Sequence, residues 1–208
     1  MTESEGVIQY TLDFTRGALP TDCDAGPLLD WFGRCRDRNL IGQDPRLYGG
    51  YAYGNISLRA SVGFIISGTQ TGGKATLQAS DLAWVLDFDS ATNRLRATGP
   101  ARPSSEAMTH GEIYRTLPEI AAVIHVHSPQ LWQSAGRLDL PSTDPTASYG
   151  TPAIADAVRR LLVARPHGGV IVMGGHEDGI IAYGTDMKLA GDHLMQAYSQ
   201  VQDRSEYS

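Results

Sequence analysis

The sequence predicts an α/β fold in which helices cover a central sheet. Short β-prone segments separated by turn residues fill the first half, and helix and strand patterns alternate in the second half. Of the 208 residues, 41% are hydrophobic and 19% are charged, as in an ordinary globular protein. We therefore expect residues 1–208 to form a single domain.

The first elements are an extended segment and a helix. Residues 7–14, VIQYTLDF, are β-prone, and we expect residues 1–24 to form an extended N-terminal arm or an edge strand. Apolar side chains at helical spacing over residues 27–42 predict a helix, with Gly42 as its stop.

The remaining segments follow the same two patterns. Further strands are predicted at 55–59, 63–67, 82–88, 94–99, 121–128, 169–175 and 179–184. Further helices are predicted at 103–117, 151–165 and 186–204. Pro103 opens the first of these helices, with Ser104 or Ser105 as its N-cap, and a tight turn at 176–178 joins the last two strands.

Strand 121–128 contains the sharpest chemical feature, His125-Val126-His127. Residues i and i+2 of a strand point to the same face, so the two imidazoles converge on one point. Neutral imidazoles in a sheltered place suit Zn²⁺ or a similar ion. The alternative is a histidine pair at a sheet edge, solvated or bonded to backbone.

Two further residues extend this pair into a ligand set. His176 lies in the turn GGHEDG, and Glu106 lies near a predicted helix start. Each has an ordinary explanation. His176 can be a simple turn histidine, and Glu106 can be a carboxylate favoured by the helix dipole. Together they make three histidines and one carboxylate for one divalent metal per chain. Zinc fits best, and Mn, Fe, Co or Ni also accept such ligands.

Small polar residues and glycines at strand and helix ends form a second signal. Backbone amides, hydroxyls and an amide side chain are the components of an anion site. The alternative is ordinary turns and caps. The residues of this predicted anion cradle are Gly54, Asn55, Ser67, Gly68, Ser104 and Ser105. The nearby segment 68–75, GTQTGGKA, is a near match to a nucleotide phosphate loop, but Ala75 replaces the required hydroxyl and no apolar helix follows.

Composition argues against several kinds of partner. The net charge of −6 argues against nucleic acid, whose binding favours a basic face. No apolar run approaches the roughly 20 residues of a membrane span, and the acidic start MTESEG lacks the basic region of a secretory signal. The two cysteines, Cys23 and Cys35, form no Cys-x-x-Cys pair. We expect a cytoplasmic protein with free thiols and without nucleic-acid or membrane partners.

Five segments together resemble the class II aldolase/adducin family. They are GNISLR, FIISGT, PSSEAMTHGEIY, AVIHVHS and VIVMGGHEDGIIAYG, and their order and spacing match the family from Gly54 to the terminal helix. The resemblance implies a three-layer α/β/α domain with a mainly antiparallel sheet. It also implies a homotetramer with four-fold symmetry and sites between subunits.

The same resemblance implies roles for the residues above. His125, His127 and His176 would bind the metal, with Glu106 as a movable ligand and catalytic base or acid. A substrate phosphate would lie in the anion cradle. The expected activity is that of an aldolase, a lyase that cleaves or forms a C–C bond in a small phosphorylated hydroxy-carbonyl compound through a metal-stabilised enediolate.

This sequence departs from the family pattern in two places. The stretch 129–148 after the histidine pair is shorter than in the sugar-phosphate aldolases and epimerases, and the third histidine lies in GGHEDG where the family has Asn-His-Gly. The proton donor is therefore open between Tyr149, which we favour, and Tyr207. A sugar-phosphate epimerase, isomerase or dehydratase using the same site is one alternative function. A non-catalytic oligomerisation module like the adducin head, expected to lack the metal ligands, is another.

Overall fold

A computed structural model describes residues 8–147 and 152–205. The strands are β1 (Thr11–Arg16), β2 (Gly42–Gln43), β3 (Ala52–Tyr53), β4 (Asn55–Arg59), β5 (Phe64–Ser67), β6 (Leu82–Asp89), β7 (Arg94–Gly99), β8 (Ala122–His127), β9 (Gly168–Val172) and β10 (Gly179–Gly184). The helices are α1 (Gly26–Arg36), α2 (Ala107–Thr116), α3 (Pro129–Gln133), α4 (Pro152–Leu162) and α5 (Met187–Ser205).

The main sheet has eight strands in the order β1-β7-β6-β5-β4-β8-β10-β9. Neighbouring strands are antiparallel except β1 and β7, which are parallel. β1 thus lies at one edge of the sheet, and β2 and β3 form a separate antiparallel pair. Strand β8 lies between β4 and β10, so its backbone is hydrogen-bonded on both sides.

Helices cover both faces of this sheet. One core joins α1, α3 and α5 to side chains such as Ile124 and Val126 of β8, and the other joins α2 and α4 to Val123 of the same strand. Alternation along β8 places His125 and His127 on the face of Val123, under α2 and α4. The predicted three-layer α/β/α fold with a mainly antiparallel sheet is confirmed.

The predicted end of the first helix is wrong. Helix α1 ends at Arg36, and Gly42 begins strand β2. Asn39 takes a left-handed φ of 56°, and the Leu40 N–H donates to the Cys35 carbonyl at 3.0 Å. This backbone turn stops the helix before any glycine is reached.

The predicted start of the second helix is also wrong. Helix α2 begins at Ala107, and Glu106 occupies its N-cap position without a side-chain cap. Pro103 forms a β-bridge with Gly68, and the Ser104 N–H donates to the Ser67 carbonyl at 3.2 Å. These long-range bonds hold Pro103 and Ser104 against the sheet. The Ser104 hydroxyl accepts the Glu106 N–H at 3.3 Å, but the N-cap position belongs to Glu106 and not to Ser104 or Ser105.

Helix α3 was not predicted. Ser128 caps it, with its hydroxyl accepting the Leu131 N–H at 3.3 Å, and Pro129 occupies its first turn. Among the described residues, no helix is both long and apolar enough to cross a membrane. Both cysteines are free.

Candidate metal centre and anion cradle

Three histidines form a buried cluster on one face of the sheet. Their candidate ligand atoms all lie within 4.8 Å of one another. His125 and His127 come from β8, and His176 comes from the turn before β10. The pairing of Gly179 with His127 across β8 and β10 brings that turn beside the histidine pair.

A backbone contact fixes the orientation of His125. Its Nδ1 lies 3.1 Å from the Ile180 carbonyl oxygen, which only accepts, so Nδ1 carries the proton and donates. The lone pair of Nε2 then faces the cluster. A carbonyl that orients a metal-binding imidazole in this way is a recurrent feature of metal sites.

Glu106 completes the cluster from the start of α2. Its Oε1 lies 3.2 Å from Nδ1 of His176 and 4.0 Å from Nε2 of His125. The side chain is only 1% exposed, and its Oε2 accepts no hydrogen bond from the described residues. A buried carboxylate oxygen without a donor is costly unless a cation binds it.

The electrostatics of the cluster fit a divalent cation. Burial raises the pKa of Glu106, but His125 and His176 outweigh this effect and hold the pKa at about 2, so the group is a carboxylate. Burial, reinforced by His176 and His125, lowers the pKa of His127 well below its ordinary value and keeps that ring neutral. A carboxylate with neutral imidazoles is the donor set that divalent zinc and its neighbours bind.

A second buried polar group lies one helical turn from Glu106. The Nδ1 of His110 is 2.7 Å from the Ser57 hydroxyl, which is also 2.7 Å from the Tyr114 hydroxyl. Burial and the nearby His125 lower the pKa of His110 to about 3, against the opposing effect of Glu106. His110 is thus a neutral imidazole anchored to β4 beneath the cluster.

The predicted anion cradle is a small polar recess beside the histidines. Asn55 pairs with His125 across β4 and β8, which places the recess directly next to the metal cluster. Asn55 is buried, and its Oδ1 has no hydrogen-bond partner among the described residues. The lining residues carry no charged side chain: Ala52, Gly54, Asn55, Gly68, Thr69, Gln70, Thr71, Gly72, Ser104 and Ser105.

Two members of the predicted cradle contribute differently from the expectation. Ser67 does not line the recess, because its hydroxyl accepts the Ile56 N–H at 3.1 Å. The Gly68 N–H donates to the Asp81 carbonyl at 2.7 Å, so this amide does not point to a bound anion. Gly68 contributes to the recess through the space that its missing side chain leaves. Gly54 has a φ of 75°, and a Cβ there would approach Ile41 Cγ1 to 2.7 Å.

Sequence reasoning missed other residues near the cluster. Tyr48 and Tyr53 pack their rings against His127, with centroids 4.5 and 5.5 Å away, and the Tyr48 hydroxyl bonds Asp178. Two features of the sequence could have indicated these residues. Asp178 lies in the same turn as His176, and a Gly-Gly pair follows Tyr48. Tyr149 and Tyr207, the predicted proton donors, lie outside the described residues.

The fold and the cluster define an α/β protein with a candidate metal centre on the face of a mainly antiparallel sheet. The chain belongs to the class II aldolase and adducin family, because the family's sequence model, described as the class II aldolase and adducin N-terminal domain, matches residues 46–199.

Solved structures of this family share the fold. The L-fuculose-1-phosphate aldolase of Thermus thermophilus matches with a TM-score of 0.67 and 19% identity, covering 87% of this chain and 92% of that chain. A sugar-phosphate aldolase of Thermotoga maritima matches with a TM-score of 0.64 and 13% identity, covering 84% of this chain and 90% of that one. At these identities the likeness concerns the fold.

Curated relatives match over shorter segments. A methylthioribulose-1-phosphate dehydratase of Stenotrophomonas maltophilia is 48% identical over 46 residues, 22% of this chain and 19% of the relative. The enzyme of the same name from Sorangium cellulosum is 39% identical over 75 residues, 36% of this chain and 34% of the relative. The chain thus matches only a minor part of each relative's length.

Proposed function

We propose that this chain is a metal-dependent lyase that acts on a small, phosphorylated hydroxy-carbonyl compound. The observation that carries the proposal is the Glu106 carboxylate, buried 3.2 Å from His176 within the three-histidine cluster and beside an uncharged polar recess. Together the cluster and the recess supply a base, a cation site and an anion site within one small region.

His125, His127 and His176 would hold the metal ion, with Glu106 as an exchangeable fourth ligand. A divalent cation bound there, with zinc as the best fit, supplies a Lewis acid that withdraws electron density from a substrate carbonyl. The neutral state of His127 and the charge of Glu106 support this assignment.

The anion cradle would bind and orient the substrate phosphate. Asn55, Ser104 and Ser105 present polar side chains at the recess, and all three are buried. Hydrogen bonds from buried neutral donors to an ionised acceptor are stronger than those between neutral groups. Since Asn55 pairs with His125, a phosphate held here leaves the carbonyl carbons of a short sugar beside the cluster.

Dehydration is the reaction we propose first. Glu106 takes the proton from the hydroxyl-bearing carbon next to the carbonyl, the hydroxyl on the following carbon receives a proton and leaves as water, and the C=C bond that forms carries the remaining hydroxyl as an enol. The partial identity to methylthioribulose-1-phosphate dehydratases supports this choice. One positioned acid–base group typically contributes about 10²–10⁴ in rate.

Aldol cleavage, the reaction expected from the sequence, is the second candidate, and membership of the class II aldolase family supports it. In that reaction Glu106 takes the proton of a substrate hydroxyl, the adjacent C–C bond breaks to release an aldehyde, and Glu106 returns the proton to the remaining enediolate. An epimerase or isomerase would use the same proton transfers. The retained ligand set argues against a non-catalytic adducin-like module.

We propose Tyr149 as the acid that acts together with Glu106. The described chain ends before it at Ala147, whose carbonyl lies against Gly175, the residue before His176. Comparing Tyr149→Phe with a chain truncated after Arg204 tests this proposal against Tyr207. Loss of turnover in Tyr149→Phe alone, with full metal content, supports Tyr149, and full turnover in both variants rejects both tyrosines.

One experiment separates the candidate reactions. The purified chain is loaded with Zn²⁺, and phosphorylated ketoses are incubated with wild type and with Glu106→Gln. Loss of one water from an intact carbon chain indicates dehydration, and two shorter carbonyl products indicate aldol cleavage. If wild type binds no metal and converts none of these compounds, the proposed lyase function is wrong. Light scattering of the same sample tests the proposed homotetramer.

A further inference from the structure

A tyrosine and an aspartate far apart in the sequence meet beside the metal cluster. The Tyr48 hydroxyl donates to Oδ2 of Asp178 at 2.7 Å, across 130 positions of sequence. Burial and then this hydrogen bond raise the pKa of Tyr48, so the phenol keeps the proton that it donates. Neither residue belongs to the ligand set or to the anion cradle.

The two partners lie at the two metal-binding segments, Tyr48 against the strand of His127 and Asp178 within the turn of His176. The Tyr48 ring lies edge-on to the His127 ring, with 4.5 Å between centroids. Asp178 lies two residues after His176, and its carbonyl accepts the N–H of Ser128, the residue after His127, at 2.9 Å. The pair therefore connects the turn of His176 to the end of the strand that carries His127.

Backbone strain accompanies this connection. Tyr48 has a φ of 48° and Asp178 a φ of 62°, both in the left-handed region that side chains other than glycine rarely adopt. Such conformations persist where surrounding contacts hold them, and they concentrate at functional sites. The hydrogen bond between the two strained residues is one contact that holds both.

Tyr48 also lines a cavity that reaches the cluster at His127. This cavity of about 520 Å³ is lined by Tyr48, Tyr53 and His127 together with Arg36 of α1, Gln43 of β2 and residues of the adjoining segments. The rings of Tyr48 and His127 thus lie side by side in the wall of this cavity. The Tyr48 hydroxyl is tied down by Asp178, which keeps the ring against His127.

We propose that Tyr48 and Asp178 are positioning residues for the metal centre. Their hydrogen bond holds the His127 ring and the His176 turn in the arrangement that the ion requires, so that little rearrangement accompanies binding. The inference rests on the proposed metal centre. Removing a group that orients metal ligands typically weakens binding about 10- to 100-fold.

The test measures Zn²⁺ affinity of the full, metal-free chain by competition with a chromogenic chelator. Tyr48→Phe keeps the ring and removes the donor, and Asp178→Ala removes the acceptor. Each is expected to raise the dissociation constant about 10- to 100-fold. The double variant should bind zinc no more weakly than the weaker-binding single variant, because both substitutions remove the same hydrogen bond.

Two further variants separate positioning from general destabilisation. Asp178→Asn keeps an oxygen acceptor and tolerates a left-handed φ, so it should bind zinc like wild type. Tyr183→Phe is the matched control, since it also loses a phenol–carbonyl bond, to Arg165 at 3.0 Å, but away from the cluster. It should lose stability and keep zinc affinity.

Three outcomes overturn the inference. Wild-type affinity in both Tyr48→Phe and Asp178→Ala would show that the pair does not position the ligands, and either variant suffices if the other fails to fold. An equal loss of affinity in Tyr183→Phe would attribute the effect to stability. Absence of zinc binding by wild type would reject the proposed metal centre and this inference with it.

Discussion

Replacing Glu106 by glutamine separates two possible roles of this residue, that of a helix-start carboxylate and that of a catalytic acid–base group. Glu106 stands at the N-cap of α2 but makes no capping hydrogen bond, so the substitution removes no cap. A carboxylate at a helix start interacts favourably with the helix dipole, and losing its charge costs about 0.3–1 kcal/mol. If Glu106 only begins the helix, Glu106→Gln should therefore show a small loss of stability and full turnover.

The site geometry predicts a much larger effect on catalysis. Glutamine is nearly isosteric, so its oxygen can still lie about as close to His176 as Oε1 does now, 3.2 Å from Nδ1. It cannot exchange a proton, and losing one acid–base group lowers the rate about 10²–10⁴-fold. That corresponds to about 2.7–5.4 kcal/mol of activation free energy, several times the dipole effect. The three imidazoles remain, so most of the metal should be retained.

The assay compares kcat, metal content and unfolding free energy in wild type and Glu106→Gln. Glu112→Gln is a suitable control, because Glu112 is buried on the same helix and pairs with Arg115 instead of the cluster. We expect a large drop in kcat for Glu106→Gln alone, with similar metal content in all three proteins. Full turnover in Glu106→Gln would refute the catalytic role.

Three further predictions follow from the same site. Replacing both His125 and His127 by alanine should reduce bound metal from about one ion per chain to none, because two of three imidazoles are lost; full occupancy by elemental analysis would reject the site. Asn55→Ala with Ser104→Ala should raise KM for a phosphorylated substrate far more than for its unphosphorylated analogue, and equal effects on both compounds would reject the anion cradle. The pKa of His110 lies at about 3 rather than 6.5, so folded His110 stays unprotonated where the unfolded chain binds a proton. Its contribution to stability is complete above pH 6.5 and is lost as the pH falls towards 3, by about 1.4 kcal/mol per pH unit. Urea unfolding of the metal-free protein at several pH values measures how the unfolding free energy changes with pH. Between pH 6.5 and 3, this change per pH unit should be smaller in His110→Gln by about 1.4 kcal/mol, the value for one proton. An unchanged pH dependence would contradict the buried neutral state of His110.

The sequence alone determined the features that depend on patterns within a few neighbouring residues. The predicted strands 55–59 and 94–99 match β4 and β7 to the residue, because alternation and turn residues act over a few positions. The same two-residue period places His125 and His127 on one face whatever the neighbouring strands are. The fold class followed from the order of such segments and from the family resemblance.

Long-range contacts decided the rest. The start of α2 depends on the bridge between Pro103 and Gly68, which no local pattern reports. Glu106 and His176 meet because of how β8 pairs with β10 and where α2 begins, and both are properties of the assembled sheet. Tyr48 joins Asp178 across 130 positions, and ring packing and left-handed backbone of this kind exist only once the chain has folded. Spacing in the sequence fixes directions within one element, whereas distances between elements are set by packing.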